Sequence, residues 1–345
     1  MNRLTPLRAP AWESGGVGVR RSGFLRWLSR SAVALAVVVV LVFALAGAYL
    51  GWARLRPVGL RVPVAGFMVD AAGVATHVEH WAAVQPRGLA PLVLVPGFAE
   101  STYVWSRVAP LLAADRDVYA YDVRGYGFSA RVPPYGLDAD TDQLAGVVAA
   151  LHLWRPVVVG HSSGVAIALS LALSTPAVVT GVVAANGDGT PYFGADRSTG
   201  SGLTRALLID PIAAAVVTAV VRHRTMIRGL VESRCGPGCP VDDAAIDRWR
   251  APFLQPGGVN ALVTMVRLPL IGLTDQQEAA VTVPAAVLFS SDDSSFDQAE
   301  AVATAARLHT HLVTGLPGAR HLALLGEPEL FAAALESQLQ SLAGS

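Results

Sequence analysis

From Val58 onward, short apolar runs of strand composition alternate with longer stretches of helical composition. That order restricts the chain to an α/β architecture, a mostly parallel sheet flanked by helices, because parallel strands need a crossover between them. The predicted strands are THVEHWAAV, PLVLV, DVYAYD, RPVVV, VVTGVVAA, VPAAVLF and HLVTG. Predicted helices cover Trp105–Leu112, Asp138–Leu151, Ser163–Ser174, which Pro176 stops, Phe296–Leu308 and a last one from Pro328. The alternation lapses between Ala185 and Val283, so residues 186–282 read as a helical insertion dividing a core of 58–185 and 283–345. Within it, Asp210-Pro211 reads as N-cap and first-turn residue of the apolar helix Ile212–Val221.

Charge removes several functions. All 26 basic residues are arginine. Without lysine there is no Schiff base, no pyridoxal-phosphate site and no lysine-bearing phosphate loop. No strand-turn-helix G-x-G-x-x-G is present either, so a nicotinamide or flavin cofactor has no fingerprint to rest on. Eight arginines and one acid fall in residues 1–56, which leaves the remainder with a net charge of −7. An acidic body argues against nucleic acid as a partner. No organic cofactor and no metal is expected.

The amino-terminal part has its own composition. Ala32 to Trp52 is an uncharged run of 21 residues, roughly 31 Å as a helix and close to the hydrocarbon thickness of a bilayer. Arg20, Arg21, Arg26 and Arg30 precede it, which predicts a basic cytoplasmic segment over 1–31, a single span over 32–52 and a body outside the cytoplasm. Arg54, Arg56 and Arg61, just after the run, count against that orientation. The competing expectation is a signal peptide, cleaved near Ala44-Leu45-Ala46 to give a secreted protein; RRSGFLR also resembles a twin-arginine export signal with one residue too many. Cys235 and Cys239 are close enough to form a small disulfide loop, which suits an oxidising compartment; two free thiols are the alternative.

The stretch VVVGHSSGVA runs from a buried strand through a glycine-flanked serine into a helix. It resembles the nucleophile elbow of the α/β-hydrolase superfamily, and the resemblance extends over roughly Val58 to Leu342. In that family the order is nucleophile, acid, histidine. The resemblance implies Ser162 as nucleophile and His321, in LPGARHLALL, as its base. FSSDDSSF resembles the family's acid turn with Ser290 in place of glycine, which points to Asp293; Asp292 and Asp188 stay open as alternatives. His309 and His311 read as strand residues, His161 cannot reach round to Ser162, and His77, His80, His152 and His223 fit no catalytic position. The oxyanion donors implied are the backbone N–H groups of Ser163 and Phe98. Where the family has His-Gly this chain has Pro96-Gly97, which keeps the backbone donor and changes how its loop is held. Asp122 and Arg124, in the family-like segment YDVRGYGFS, are expected to brace turns beside the site.

Serine at the elbow separates the chain from epoxide hydrolases and haloalkane dehalogenases, which carry aspartate there. The epoxide branch also uses two tyrosines of the insertion, and residues 186–283 hold only Tyr192. The expected activity is therefore hydrolysis of a carboxylic ester or related, hydrophobic acyl substrate through an acyl-enzyme, with the insertion as a lid. Acyl transfer, carbon–carbon hydrolysis and cofactor-free haloperoxidase-like chemistry use the same residues. A non-catalytic binding module of the same fold is the competing class.

Overall fold

The computed structural model describes residues 21–60, 62, 64–190, 209–267 and 272–344, with the side chains of the first helix described from Leu35 on. Tyr192, Arg20, Arg61 and, within the 186–282 insertion, residues 191–208 and 268–271 lie outside the described residues. The strands are β1 (Phe67–Ala71), β2 (Val74–Trp81), β3 (Leu92–Val95), β4 (Val118–Tyr121), β5 (Val157–His161), β6 (Gly181–Ala185), β7 (Ala285–Ser290) and β8 (Val313–Leu316). They form one sheet in the order β1-β2-β4-β3-β5-β6-β7-β8. β1 and β2 pair antiparallel, as do β2 and β4; every pairing from β4 to β8 is parallel. The α/β prediction thus agrees with the structure. The sequence reading misses β1, which folds back on β2 through Ala72-Gly73, two residues with positive φ. Such a mirror-image turn matches the strand twist, and Asp70 Oδ1 closes it by accepting from Gly73 N at 2.7 Å.

Both faces of the sheet are covered. α3 (Leu137–Ala150), α4 (Gly164–Ser174) and α10 (Gln298–Arg307) pack on one face, over a core that includes Val158, Leu144, Leu169 and Phe296. On the other, α2 (Ala109–Leu112), α11 (Ala323–Gly326) and α12 (Pro328–Ala343) enclose Leu92, Leu94, Trp105 and Phe331. β3, β5, β6 and β7 are therefore buried along their whole length, which is why they read as apolar runs. The helix expected over Trp105–Leu112 is broken into a 3₁₀ turn, Thr102–Trp105, and the short α2. Ser101 caps the turn, and Pro110, which has no N–H to give, sits in the first turn of α2.

Between β6 and β7 the described insertion is helical: α5 (Ile212–Arg222), α6 (Arg224–Cys235), α7 (Asp243–Leu254), α8 (Gly258–Arg267) and the short α9 (Asp275–Ala279). Asp210 does not cap α5. Its carboxylate accepts from Arg267 Nη1 at 2.7 Å, and Pro211 holds the cap position instead. Cys235 and Cys239 are joined as a disulfide at the end of α6. Ahead of the body, α1 (Arg21–Leu55) contains an apolar stretch, Leu35–Leu55, long enough to cross a membrane by length and composition. A signal sequence passes the same test.

A half-buried acid on α3 makes stability pH-dependent. Asp140, in the first turn of α3, is pushed up to about 7 by burial against the opposing pull of Arg124. A carboxyl raised in the folded state contributes stability in acid that is lost as pH rises through its folded pKa. Asp140→Asn should therefore raise the melting temperature by an amount that grows between pH 4 and pH 7 and levels off above; thermal unfolding across that range measures it.

Candidate active site

Ser162 follows the last residue of β5 and has φ +52, the left-handed region that a residue with a Cβ rarely enters. Two backbone hydrogen bonds hold it there: Ser162 N donates to Ala185 O at 2.9 Å, and Ser162 O accepts from Val165 N at 3.0 Å. Gly164 is required by contact, because a Cβ there would lie 2.6 Å from Val95 O. The turn thus sits hard against the end of β3, with the amino-terminus of α4 directly behind the serine. A helix end in that position favours negative charge.

His321 and Asp293 come from the two loops that follow β8 and β7. His321 Nδ1 lies 2.7 Å from Asp293 Oδ2, and both residues are buried. Asn186 Nδ2 donates to the same carboxylate oxygen at 3.0 Å, while Ser295 N donates to Oδ1 at 2.8 Å. Burial works to raise the Asp293 pKa, but these hydrogen bonds and the charge of His321 outweigh it and hold the carboxyl below its ordinary value. The other two acids point elsewhere. Asp188 accepts from Thr190 N and Oγ1 in a local turn, and Asp292 Oδ1 accepts from Ser291 Oγ. His309 and His311 both precede β8.

The sequence reading overlooks a second carboxylate–histidine pair. His161 Nδ1 is 2.9 Å from Glu100 Oε2, and His161 Nε2 is 2.9 Å from the backbone oxygen of His321. A carbonyl oxygen only accepts, so Nε2 carries a proton. Glu100 Oε2 also accepts from Gly97 N at 2.6 Å. Burial would lower the His161 pKa and raise that of Glu100; the charge of each on the other, with their hydrogen bond, reverses both directions. No local pattern announces Glu100, because its partner is 61 residues away.

This pair also explains how the loop after β3 is held without the usual histidine. The Glu100 carboxylate closes the 97–100 turn, where Ala99 has φ +60. A Cβ on Gly97 would lie 2.9 Å from Ser162 Cβ, so this loop runs alongside the serine. Gly97 N–H is committed to Glu100. Among the described residues, the N–H groups of Phe98 and Ser163 have no acceptor in the protein. Phe98 stacks edge-on against Tyr126 at 5.7 Å. Asp122 braces the neighbouring turns: it accepts from Thr102 N, Phe128 N and His77 Nδ1 at 2.7, 2.8 and 2.8 Å. Arg124 Nη1 donates to Pro134 O at 2.9 Å.

Residues 90–328 match the family model described as the alpha/beta hydrolase fold. The chain is 37% identical over 111 residues to N-formylmaleamate deformylase of Pseudomonas putida, covering 32% of this chain and 40% of that protein. It is 33% identical over 135 residues to 2-hydroxymuconate semialdehyde hydrolase of a Pseudomonas species, covering 38% and 46%. The chain thus spans less than half the length of these curated relatives. Among solved structures, a membrane phospholipase A described as a bacterial virulence factor is similar with a TM-score of 0.63 and 20% identity, covering 93% of this chain and 99% of that one.

Truncating Glu100 would leave His161 Nδ1 and the Gly97 N–H buried without their shared partner. Glu100→Ala should cost about 3–5 kcal/mol of folding stability, read as a lower denaturation midpoint in urea; Glu100→Gln, which keeps the shape, should cost less.

Proposed function

The chain belongs to the alpha/beta hydrolase family, and we propose that it is a serine hydrolase that cleaves a carboxylic ester, or a related hydrophobic acyl substrate, through an acyl-enzyme on Ser162. The observation that carries this reading is the hydrogen bond between His321 Nδ1 and Asp293 Oδ2, made beside a serine on a left-handed elbow. An ionised acid on Nδ1 fixes the tautomer that leaves Nε2 as the base. In the proposed reaction Ser162 Oγ attacks the acyl carbon as His321 Nε2 takes its proton. The oxyanion is held by the Phe98 and Ser163 N–H groups. Collapse expels the alcohol, which leaves with the proton from His321. A water, deprotonated by His321, then releases the acid and restores Ser162.

The helical insertion serves in this reading as a lid over Ser162, and α1 as an uncleaved single-pass anchor with the hydrolase body outside the cytoplasm. Support for the last point is the arginine-rich segment before the run and the Cys235–Cys239 disulfide, which suits an oxidising compartment. A second reading is hydrolysis of a C–N or C–C bond beside a carbonyl. It is favoured by the partial likeness to the deformylase and to the semialdehyde hydrolase, and it uses the same three residues.

Two measurements test the proposal. A fluorophosphonate probe should label the full chain and fail to label Ser162→Ala; labelling that survives the substitution overturns the serine mechanism. Asp293→Asn should lower kcat for an activated ester by about 10⁴-fold, whereas Asp292→Asn should leave it within a few-fold of the parent. Turnover of esters against N-formyl amides and vinylogous diketones separates the two readings.

A further inference from the structure

α5 is unlike its neighbours. From Ile212 to Val221 it carries no charged residue, and its most polar side chain, Thr218, faces inward with Ala213, Ala214 and Val221. Its outer face is apolar as well: Val216 is 47% exposed, and Ile212 and Ala219 lie on the same side. A helix that is apolar all round belongs in a core or in lipid. The next helix, α6, changes character at once, with Arg224 and Arg228 paired to Asp243 and Asp247.

α5 lies across the last turns of α1. Arg222 donates to the Arg56 and Ala53 backbone oxygens at 2.8 and 3.4 Å, and its guanidinium stands 5.1 Å over the Trp52 ring. The insertion therefore supplies the carboxyl-terminal cap of α1. At the other end of α5, Pro211 and Ala214 share a cavity of about 410 Å³ with Leu50 and Arg54 of α1. α5 is thus set at the level where the apolar stretch Leu35–Leu55 ends. Among the described residues, Arg54 and Arg267 line this cavity with one acid, Asp210, and Arg222 meets Arg56 near it. Guanidinium groups at that height suit lipid phosphates, and Val216 and Ile209 on and just before α5 are exposed apolar side chains.

We propose that the outer face of α5 lies in the membrane interface, against the acyl chains of one leaflet, so that the insertion covering Ser162 opens toward lipid. This rests on the reading of α1 as a membrane anchor, and it makes the substrate an acyl lipid that reaches Ser162 from the leaflet. An in-plane helix of this kind buries its apolar face at the boundary of headgroups and chains.

The test uses the full chain, whose two native cysteines are disulfide-bonded, in phosphatidylcholine–phosphatidylglycerol vesicles. An environment-sensitive fluorophore is placed singly through Val216→Cys on α5, Val38→Cys on α1 and Ala244→Cys on α7. Nitroxide-labelled acyl chains should quench the Val216→Cys and Val38→Cys labels by about twofold or more, and leave the Ala244→Cys label unchanged. Quenching at position 38 without quenching at 216 overturns the α5 proposal and leaves the anchor standing. No quenching at either position overturns both. Disulfide cross-linking of two Val216→Cys chains in the vesicles would assign this face to a second copy and overturns the lipid assignment.

Discussion

Two loops and the end of a strand meet at one buried side chain, His161. Its Nδ1 side holds Glu100, and through Glu100 the Gly97 N–H; its Nε2 side holds the backbone of His321. The residue itself is the last of β5, adjacent in the chain to Ser162. One side chain thus fixes the serine's strand, the loop carrying Phe98 and the loop carrying His321 relative to each other. The pair is buried, where each polar group is costly without its partner. That cost is what couples the loops: none can move away without leaving a buried polar group unpaired.

The second carboxylate–histidine pair, Asp293 with His321, stands beside the first, with the two imidazole rings 4.9 Å apart. The arrangement separates two tasks. The His161–Glu100 pair uses both ring nitrogens on acceptors and has nothing left for chemistry. His321 uses one ring nitrogen on Asp293 and keeps the other. In the proposed mechanism the second histidine does the proton transfer within a frame the first holds still, which is the preorganisation that oxyanion stabilisation needs.

Much of this was legible in the sequence where the signal is local. Ser162 is marked by the glycines its close packing requires, and the buried strands by apolar runs that both faces of the sheet demand. The choice among Asp293, Asp292 and Asp188 was not legible, since neighbouring aspartates differ only in which way the turn after β7 points them; the fold brings Asp293 alone onto His321. Asp210 reads as a helix cap in the sequence because Arg267, the partner that claims it, is 57 residues away. β1 is not legible because its pairing depends on a two-residue turn whose positive φ at Ala72 no residue preference suggests.

By itself, the sequence determined the α/β order, the apolar amino-terminal run, the absence of any lysine chemistry and the serine at the elbow, all properties carried by residue type and short spacing. Only the tertiary structure decided which acid faces His321, that Glu100 and His161 form a buried hydrogen-bonded pair, and that α5 lies across the end of α1. Each of those joins residues from 28 to 166 positions apart. Contacts over such distances are set by how the sheet stacks its loops, and no local pattern encodes them.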